Sequence, residues 1–395
     1  MKSYGEMLSR SNWVEVDLDV ISNNFKLLRE MVGPDIKIMP AVKSNAYGHG
    51  ILESCRILEE SGADILGVGS VEEGIALRRY GIKMPILIFA SNTIYEAADI
   101  YVKENLIPTI LYYSQAESIS KAAGSKPYPI FVKVETGRGR LGINAEEAVD
   151  EIVKMSKLPG VKVAGVYTHL CDTKWRDMGN DYTMWQNSRF DMVRKGLESK
   201  DVQIPFYQIA NTAASIALSE IRHTGICPGR AIWGYSPLEA RPEHPDLKQA
   251  LIAWKTRIIM VKEVCGGKFG PNFKNVKLDN KMRIGIIPAG LNDGIDHKQA
   301  KGYVLVRGKK VPVGSSESLE HTILDLRNFP EVEVGDEVVI MGRQGNECIT
   351  LNELSTLWDR NLSEFLTGIN PTIPRIYFSD GKPVSIAYGT KVVKL

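Results

Sequence analysis

The sequence predicts an α/β fold: an N-terminal (β/α)8 TIM-like barrel followed by a C-terminal mainly-β domain. Three observations predict it. Over the first ~240 residues short apolar runs alternate with longer amphipathic ones, the signature of parallel strands joined by helices. The runs number eight, counting a weak last one, which is the strand count of a closed barrel. Beyond a proline-rich stretch the pattern changes to Val- and Ile-rich segments separated by turn residues. The alternation by itself leaves a doubly wound open sheet as the alternative.

The elements follow in order. Trp13-Val-Glu-Val-Asp-Leu18 alternates like a strand and is a candidate to join the C-terminal sheet. Ile21, Phe25, Leu28 and Val32 then recur at helical spacing, placing one apolar stripe on a helix. The barrel strands are read at Lys37–Lys43, Ile65–Val68, Ile86–Phe89, Ile107–Leu111, Ile130–Glu135, Val163–His169, Phe206–Ala210 and, weakly, Thr224–Ile226. Ser70…Glu73 and Ser114…Glu117 have the spacing of capping boxes that start helices. Leu238-Glu-Ala-Arg-Pro-Glu-His-Pro245 reads as a linker. After it, Trp254–Val264, Met282–Ala289, Tyr303–Val306, Thr322–Leu326 and Glu337–Met341 are strand-like. The barrel domain is therefore placed at 15–240 and the β-rich domain at 241–395, with the strand near 11–18 belonging to the latter.

Composition narrows the function classes. The 395 residues carry 49 basic and 47 acidic side chains, a net charge of +2. That balance, with no Lys/Arg block, argues against a nucleic-acid binder. A hydrophobic fraction of 44% excludes wholesale disorder. Five scattered cysteines without a CxxC pair suit a reducing compartment and offer no zinc-site spacing. The apolar runs are too short for a membrane span, and no signal-peptide pattern opens the chain, so a cytoplasmic protein is the expectation.

Reactive groups gather where barrel strands end. The first strand closes on Lys43, a low-dielectric setting suited to an amine for Schiff-base chemistry. A lysine snorkelling from a strand end is the competing reading. The fifth strand carries Lys133 and leads into Glu135-Thr-Gly-Arg-Gly-Arg-Leu-Gly142, where Arg138 and Arg140 offer donors for a carboxylate or phosphate. One of these arginines can equally be a solvated surface charge. His169 closes the sixth strand, placed either to stack on a ring or to sit satisfied in the core. Asn211-Thr-Ala-Ala214 follows the seventh strand and Pro228-Gly-Arg-Ala231 the eighth, where such barrels hold phosphate. A Schiff-base lysine opposite a phosphate cradle points to pyridoxal 5'-phosphate.

These residues carry a family resemblance. Ala41-Val-Lys-Ser-Asn-Ala-Tyr-Gly-His-Gly50 resembles the cofactor motif of the alanine racemases. The likeness continues through Lys133…Gly142, Thr168-His169, Asn211–Ala214 and Pro228-Gly229, then through Asp293-Gly294, Val334–Val338 and Ile373-Pro-Arg-Ile-Tyr377. It implies that Lys43 binds pyridoxal phosphate covalently and is the base on one face of the substrate. It also implies that Tyr47, Thr212, the backbone of Gly229 and Arg230, and Tyr377 hold the phosphate. Asn211 belongs to the same cofactor-binding set. His169 packs against the pyridine ring, and Arg140 sits beside the phenolic oxygen and the substrate, steadied by Lys133, which many relatives carry carbamylated. A head-to-tail homodimer with shared sites and a small amino-acid substrate complete the implication.

The chain departs from the family at the substrate face. Racemisation needs an acid/base group on each face of the α-carbon. Where the family has a second tyrosine, Gly267-Lys-Phe-Gly-Pro-Asn-Phe273 places Phe269. Cys227 stands where the family has an arginine on the pyridine nitrogen; a thiol cannot supply that fixed charge, though it can be inert packing. Leu291-Asn292 occupies an aromatic gate position, and Leu319 replaces a methionine expected to face a partner's substrate. The leading expectation is an amino-acid racemase or epimerase, with Cys265, Lys268 or water standing in for the second base. The alternative keeps pyridoxal phosphate for one-base chemistry: aldol-type cleavage, group transfer, decarboxylation or elimination. A cofactor carrier with little turnover is the remaining class.

Overall fold

The computed structural model describes residues 10–89, 94–264, 281–295, 302–315 and 318–395. The chain forms two compact units. One contains Val20–Ala46 and Ile51–Gln249; the other gathers the described residues up to Asp19, the short segment Tyr47–Gly50, and those from Ala250 onward.

The first unit is the barrel. Its strands are Lys37–Ile38, Leu66–Val68, Ile86–Ile88, Ile107–Ile110, Tyr128–Glu135, Val161–Tyr167, Tyr207–Ala210 and Gly225–Ile226. Neighbours pair in parallel around the sheet, and the last strand pairs with the first. Closure comes from a parallel bridge between Ala41 and Gly67, with the Val42 N–H donating to the Gly67 carbonyl at 2.8 Å. The open-sheet alternative is excluded, because the bridge joins the two end strands and leaves no barrel strand with a free edge. Past Ile38 the first strand keeps its ladder through Met39 N–H on the Ile226 carbonyl and Ala41 N–H on the Pro228 carbonyl, both 2.9 Å. That carries the backbone up to Lys43 as the apolar run predicts.

The barrel interior is a layer to which every strand run contributes. Met39, Ile65, Leu87, Ile107, Phe131, Tyr167 and Phe206 form one buried cluster, with Cys227 packed against it. Each large apolar side chain removed from water there contributes about 1.5–3 kcal/mol. Around the ring, the helix Leu18–Val32 buries Ile21, Phe25 and Leu28 and leaves Val32 half-buried, as its stripe predicts.

The two predicted capping boxes resolve differently. Ser70 does cap the helix Val71–Tyr80, accepting from the Glu73 N–H at 3.3 Å. The Glu73 carboxylate, however, does not return to Ser70; it reaches the amides of Gly69 and Asn45. The Ser114…Glu117 box does not form. The helix Tyr113–Ala123 starts earlier, so Ser114 lies in its first turn and bonds the Tyr95 hydroxyl at 2.7 Å. Gln115 takes over the local role, its Oε1 accepting from the Leu111 N–H at 2.8 Å.

No regular element lies between Trp233 and Leu251, where the linker is read. The second unit is built on a sheet of twelve described strands. Asn12–Asp17 lies inside it, antiparallel to Leu251–Arg257 and parallel to Arg375–Ser379. The predicted strand Trp254–Val264 is two strands, Leu251–Arg257 and Met260–Val264, broken at Ile258-Ile259. The helices Leu351–Leu357 and Leu362–Gly368 escape the sequence reading because seven residues span too few turns to show a period. Their caps, Thr350 and Asn361, were the signal available. Among the described residues no helix is long and apolar enough to cross a membrane.

Candidate active site

Lys43 opens a left-handed turn. Ser44, Asn45, Ala46 and Tyr47 have φ of 56°, 54°, 53° and 51°. Asparagine tolerates that region, but for the others it costs roughly 1–2 kcal/mol each. The surroundings over-determine the turn. Asn45 N–H donates to Glu73 Oε1 at 2.9 Å, Asn45 Oδ1 accepts from Ile51 N–H at 2.9 Å, and Ala46 N–H donates to the Val42 carbonyl at 2.9 Å. Strain of this kind concentrates at functional sites. Lys43 is half-buried and packs closely on Gly69: a Cβ there would sit 3.3 Å from Lys43 Cβ.

The ends of the fifth and sixth strands form a small pocket lined by Lys133, Glu135, Arg138, Arg140, Thr168 and His169. Glu135 organises its loop. Its Oε2 accepts from the Arg140 N–H at 3.0 Å and its Oε1 from the Gly137 N–H. Burial works to raise the Glu135 carboxyl, but the backbone N–H groups of Arg140, Gly137, Gly139 and Arg138 outweigh it and hold it below the usual carboxylate range. Arg138 is spent on structure, donating to the carbonyls of Leu170 and Cys171 at 2.9 and 3.1 Å. Arg138 and Arg140 are both exposed.

The cations crowd each other. Lys133 is only 6% exposed, and its ammonium lies 5.4 Å from the centre of the Tyr167 ring. Burial, then repulsion from Arg140 and Lys43, pushes its pKa down to about 8. His169 is pushed down to about 3 by burial first, then by Arg138, Lys133, Arg140 and Lys43. Its imidazole is therefore neutral near pH 7, which suits contact with a ring and rules out a role as a standing cation. Burial lifts the Cys227 thiol to about 12 against the opposing pull of Lys43 and Lys133. Cys227 is thus a neutral thiol packed against an apolar layer.

Across the last two strands, Thr212 is the focal group. Its Oγ1 accepts from the amides of Gly229 and Ala231 at 3.1 and 3.4 Å, leaving its own O–H to donate. Asn211 caps the helix Thr212–Ala217, its Oδ1 accepting from the Ala214 N–H at 3.2 Å. That is a positioning contact within the loop expected to hold the cofactor. Arg230 is exposed.

The second unit holds the remaining predicted residues. Tyr377 donates to the His49 carbonyl at 3.1 Å, and a Cβ on Gly50 would collide with its hydroxyl. Beside it lies Arg375, which the sequence reading quoted but gave no role. It is 2% exposed and donates to the carbonyls of Gly48, Ile369, Asn370 and Ile373. Burial lowers its pKa to about 10. Leu291 and Leu319 lie on adjoining backbone, since the amides of Leu291 and Asn292 donate to the carbonyls of Ser318 and Leu319. Leu319 is 65% exposed. Phe269, with Cys265 and Lys268, lies outside the described residues.

A parallel barrel with a half-buried lysine on a strained turn, an arginine-bearing glycine loop and a threonine-centred loop pair, joined to a β-rich unit, defines a class of small-molecule enzyme rather than a binding module. Comparisons with known proteins agree. The sequence profile of the alanine racemase N-terminal domain matches residues 16–237, and that of the alanine racemase C-terminal domain matches residues 251–377. An alanine racemase of Halothermothrix orenii is 33% identical over 374 residues, covering 94% of this chain and 97% of the relative. An alanine racemase 1 of Caldanaerobacter subterraneus subsp. tengcongensis is 33% identical over 376 residues, covering 94% and 96%. The crystal structure of the Bacillus anthracis alanine racemase with bound L-Ala-P superposes with a TM-score of 0.86 at 29% identity, covering 96% of this chain and 98% of that one. The chain belongs to the alanine racemase family.

Proposed function

We propose that this protein is a pyridoxal phosphate-dependent racemase of a small amino acid, alanine being the first substrate to test. The observation that carries the reading is the meeting of Lys133, Arg140 and His169 in one pocket at the strand ends, with Lys43 on its strained turn near enough to act on Lys133 and His169 electrostatically. The names of the relatives support racemisation; the one-base alternative gains no support from them.

The donor set fits the cofactor. Lys43 provides the amine, the Thr212 hydroxyl with the loop at Gly229 and Arg230 provides phosphate contacts, and neutral His169 provides a face for the ring. The resemblance adds Tyr47 and Tyr377 to the phosphate's holders. When bound, pyridoxal phosphate supplies an aldehyde for the substrate's amine and an electron sink beside the α-carbon. Lys43 Nζ would serve as acid/base on one face of the α-carbon, and Cys265, Lys268 or water would serve the other, so that a proton lost on one side is replaced from the opposite side. Arg140 orients the substrate carboxylate and the cofactor's phenolic oxygen. Lys133, at a pKa of about 8, has about a tenth of its amine neutral at pH 7, the form that takes up carbon dioxide as a carbamate. Such a carbamate offsets the charge of Arg140. Cys227, a neutral thiol, would bring no fixed charge to the ring nitrogen of a bound cofactor, in contrast to an arginine. We further read the protein as a cytoplasmic head-to-tail homodimer with shared sites, its barrel domain at 15–240 and its β-rich domain at 241–395.

The test is direct. Borohydride reduction in the presence of pyridoxal phosphate fixes the cofactor to Lys43, read by peptide mass spectrometry, and Lys43→Ala abolishes the adduct. Incubation with L-alanine in D₂O then gives D-alanine carrying deuterium at Cα. Deuterium incorporated with full retention overturns racemisation in favour of one-base chemistry. Because Phe269 has no proton to give, Phe269→Tyr is expected to raise the alanine racemisation rate about a hundredfold, the lower end of the 10²–10⁴ range typical of an acid/base group.

A further inference from the structure

The glutamate at position 73 has a task that its helix does not need. A glutamate three residues after a capping serine ordinarily accepts from that serine's N–H. Glu73 reaches past Ser70 instead, taking the Asn45 N–H on Oε1 at 2.9 Å and the Gly69 N–H on Oε2 at 2.8 Å. One carboxylate thus ties the loop after the first barrel strand to the loop after the second. Asn45 belongs to the run of left-handed residues that begins directly after Lys43. Gly69 packs closely on Lys43: a Cβ there would meet Glu73 Oε2 at 3.2 Å and Lys43 Cβ at 3.3 Å. Glu73, Gly69 and the Lys43 stem therefore form one packed unit.

We propose that Glu73 is a positioning residue which, by holding the left-handed turn through both carboxylate oxygens, sets the amine of Lys43 for attack on an aldehyde. The inference rests on the reading of Lys43 as the cofactor lysine. Only a carboxylate can do this work, because both its oxygens accept. A glutamine keeps one acceptor and turns an NH₂ toward the other amide, so donor meets donor. Ser70 separates positioning from stability. Its hydroxyl takes the Glu73 backbone N–H and neither tied amide, so Ser70→Ala loosens the helix start while both carboxylate bonds remain available.

The experiment uses the full chain freed of cofactor and titrates it with pyridoxal, which lacks the phosphate, and with pyridoxal phosphate. Capture at Lys43 is read by the absorbance of the lysine-bound aldehyde and by borohydride trapping. Glu73→Gln is expected to weaken capture of both aldehydes about tenfold, the loss of one hydrogen bond to a charged acceptor. Ser70→Ala is expected to lower Tm while capture stays as in the wild type. Wild-type capture in Glu73→Gln, or an equal loss in Ser70→Ala, overturns the proposal. Should Glu73→Gln not fold, Glu73→Asp keeps the charge but draws the carboxylate back by one methylene from the Asn45 and Gly69 amides, and unaltered capture there overturns it as well. If the wild type itself shows no capture that Lys43→Ala removes, the cofactor reading fails first, a result distinct from the others.

Discussion

His169 shows how a residue's role is set by its neighbours. Four cations surround the imidazole and burial adds to them, so its pKa falls to about 3 from an ordinary 6.5. In the unfolded chain the ring takes a proton below about pH 6.5, whereas in the folded protein it stays neutral to about pH 3. The unfolded state therefore binds more protons over this window, and stability is lost as pH falls through it. Tm is expected to drop between pH 6.5 and 4, with His169→Gln flattening that part of the profile. A slope unchanged in the variant assigns the acid lability to another group. The sequence placed His169 at the sixth strand end but left a ring contact and a core histidine as equal readings. What the sequence could not show is its charge state, set by burial and then by the positive charge of Arg138, Lys133, Arg140 and Lys43. Cys227 is a parallel case, since a cysteine before Pro-Gly reads the same whether thiol or thiolate, and burial against the apolar layer favours the thiol.

At the scale of elements, the loops are held by carboxylates that accept backbone amides. Glu135 gathers the amides of its own glycine loop and so presents Arg140. Removing that acceptor leaves several N–H groups to find water, at a cost of about 1–3 kcal/mol. Glu135→Ala is expected to raise KM for the amino acid about tenfold and to leave the Lys43 adduct intact, because only the arginine loop is released. Steady-state kinetics beside borohydride trapping checks both halves. The sequence showed Glu135 as the start of a glycine-rich motif and Glu73 as a helix cap. Spacing revealed the residue types, but a capping box and a tie between loops share the same four-residue pattern. Which amide a carboxylate meets depends on the neighbouring strand, and that is a tertiary fact. The same reason explains Ser114…Glu117, where the pattern is present but the helix starts at Tyr113.

For the whole molecule, Arg375 joins parts of the chain remote in sequence. It donates to the Gly48 carbonyl across 327 positions and to three carbonyls near its own strand. Arg375→Lys keeps the charge but loses the planar fork, and a single ammonium cannot reach all four acceptors. The variant is expected to lose on the order of 3 kcal/mol, from buried acceptors left unmet. The denaturant midpoint, with the slope unchanged, measures it; a loss under about 0.5 kcal/mol, the level of an ordinary surface substitution, sinks the account.

Periodicity, turn residues and motif spacing determined the barrel strands, the β-rich second half and the residue types of the site, because these rest on local pattern and on the pairing of an amine with a phosphate cradle. Even Asn12–Asp17 was legible as a strand of the later sheet from its alternation. Closure of the barrel was not, since it hangs on one bridge between Ala41 and Gly67 that alternation does not encode. Nor was the division of the Ala41–Gly50 motif, whose last four residues belong with the β-rich unit. Charge states and hydrogen-bond partners also waited for the tertiary structure, because each depends on which groups meet across strands rather than along them.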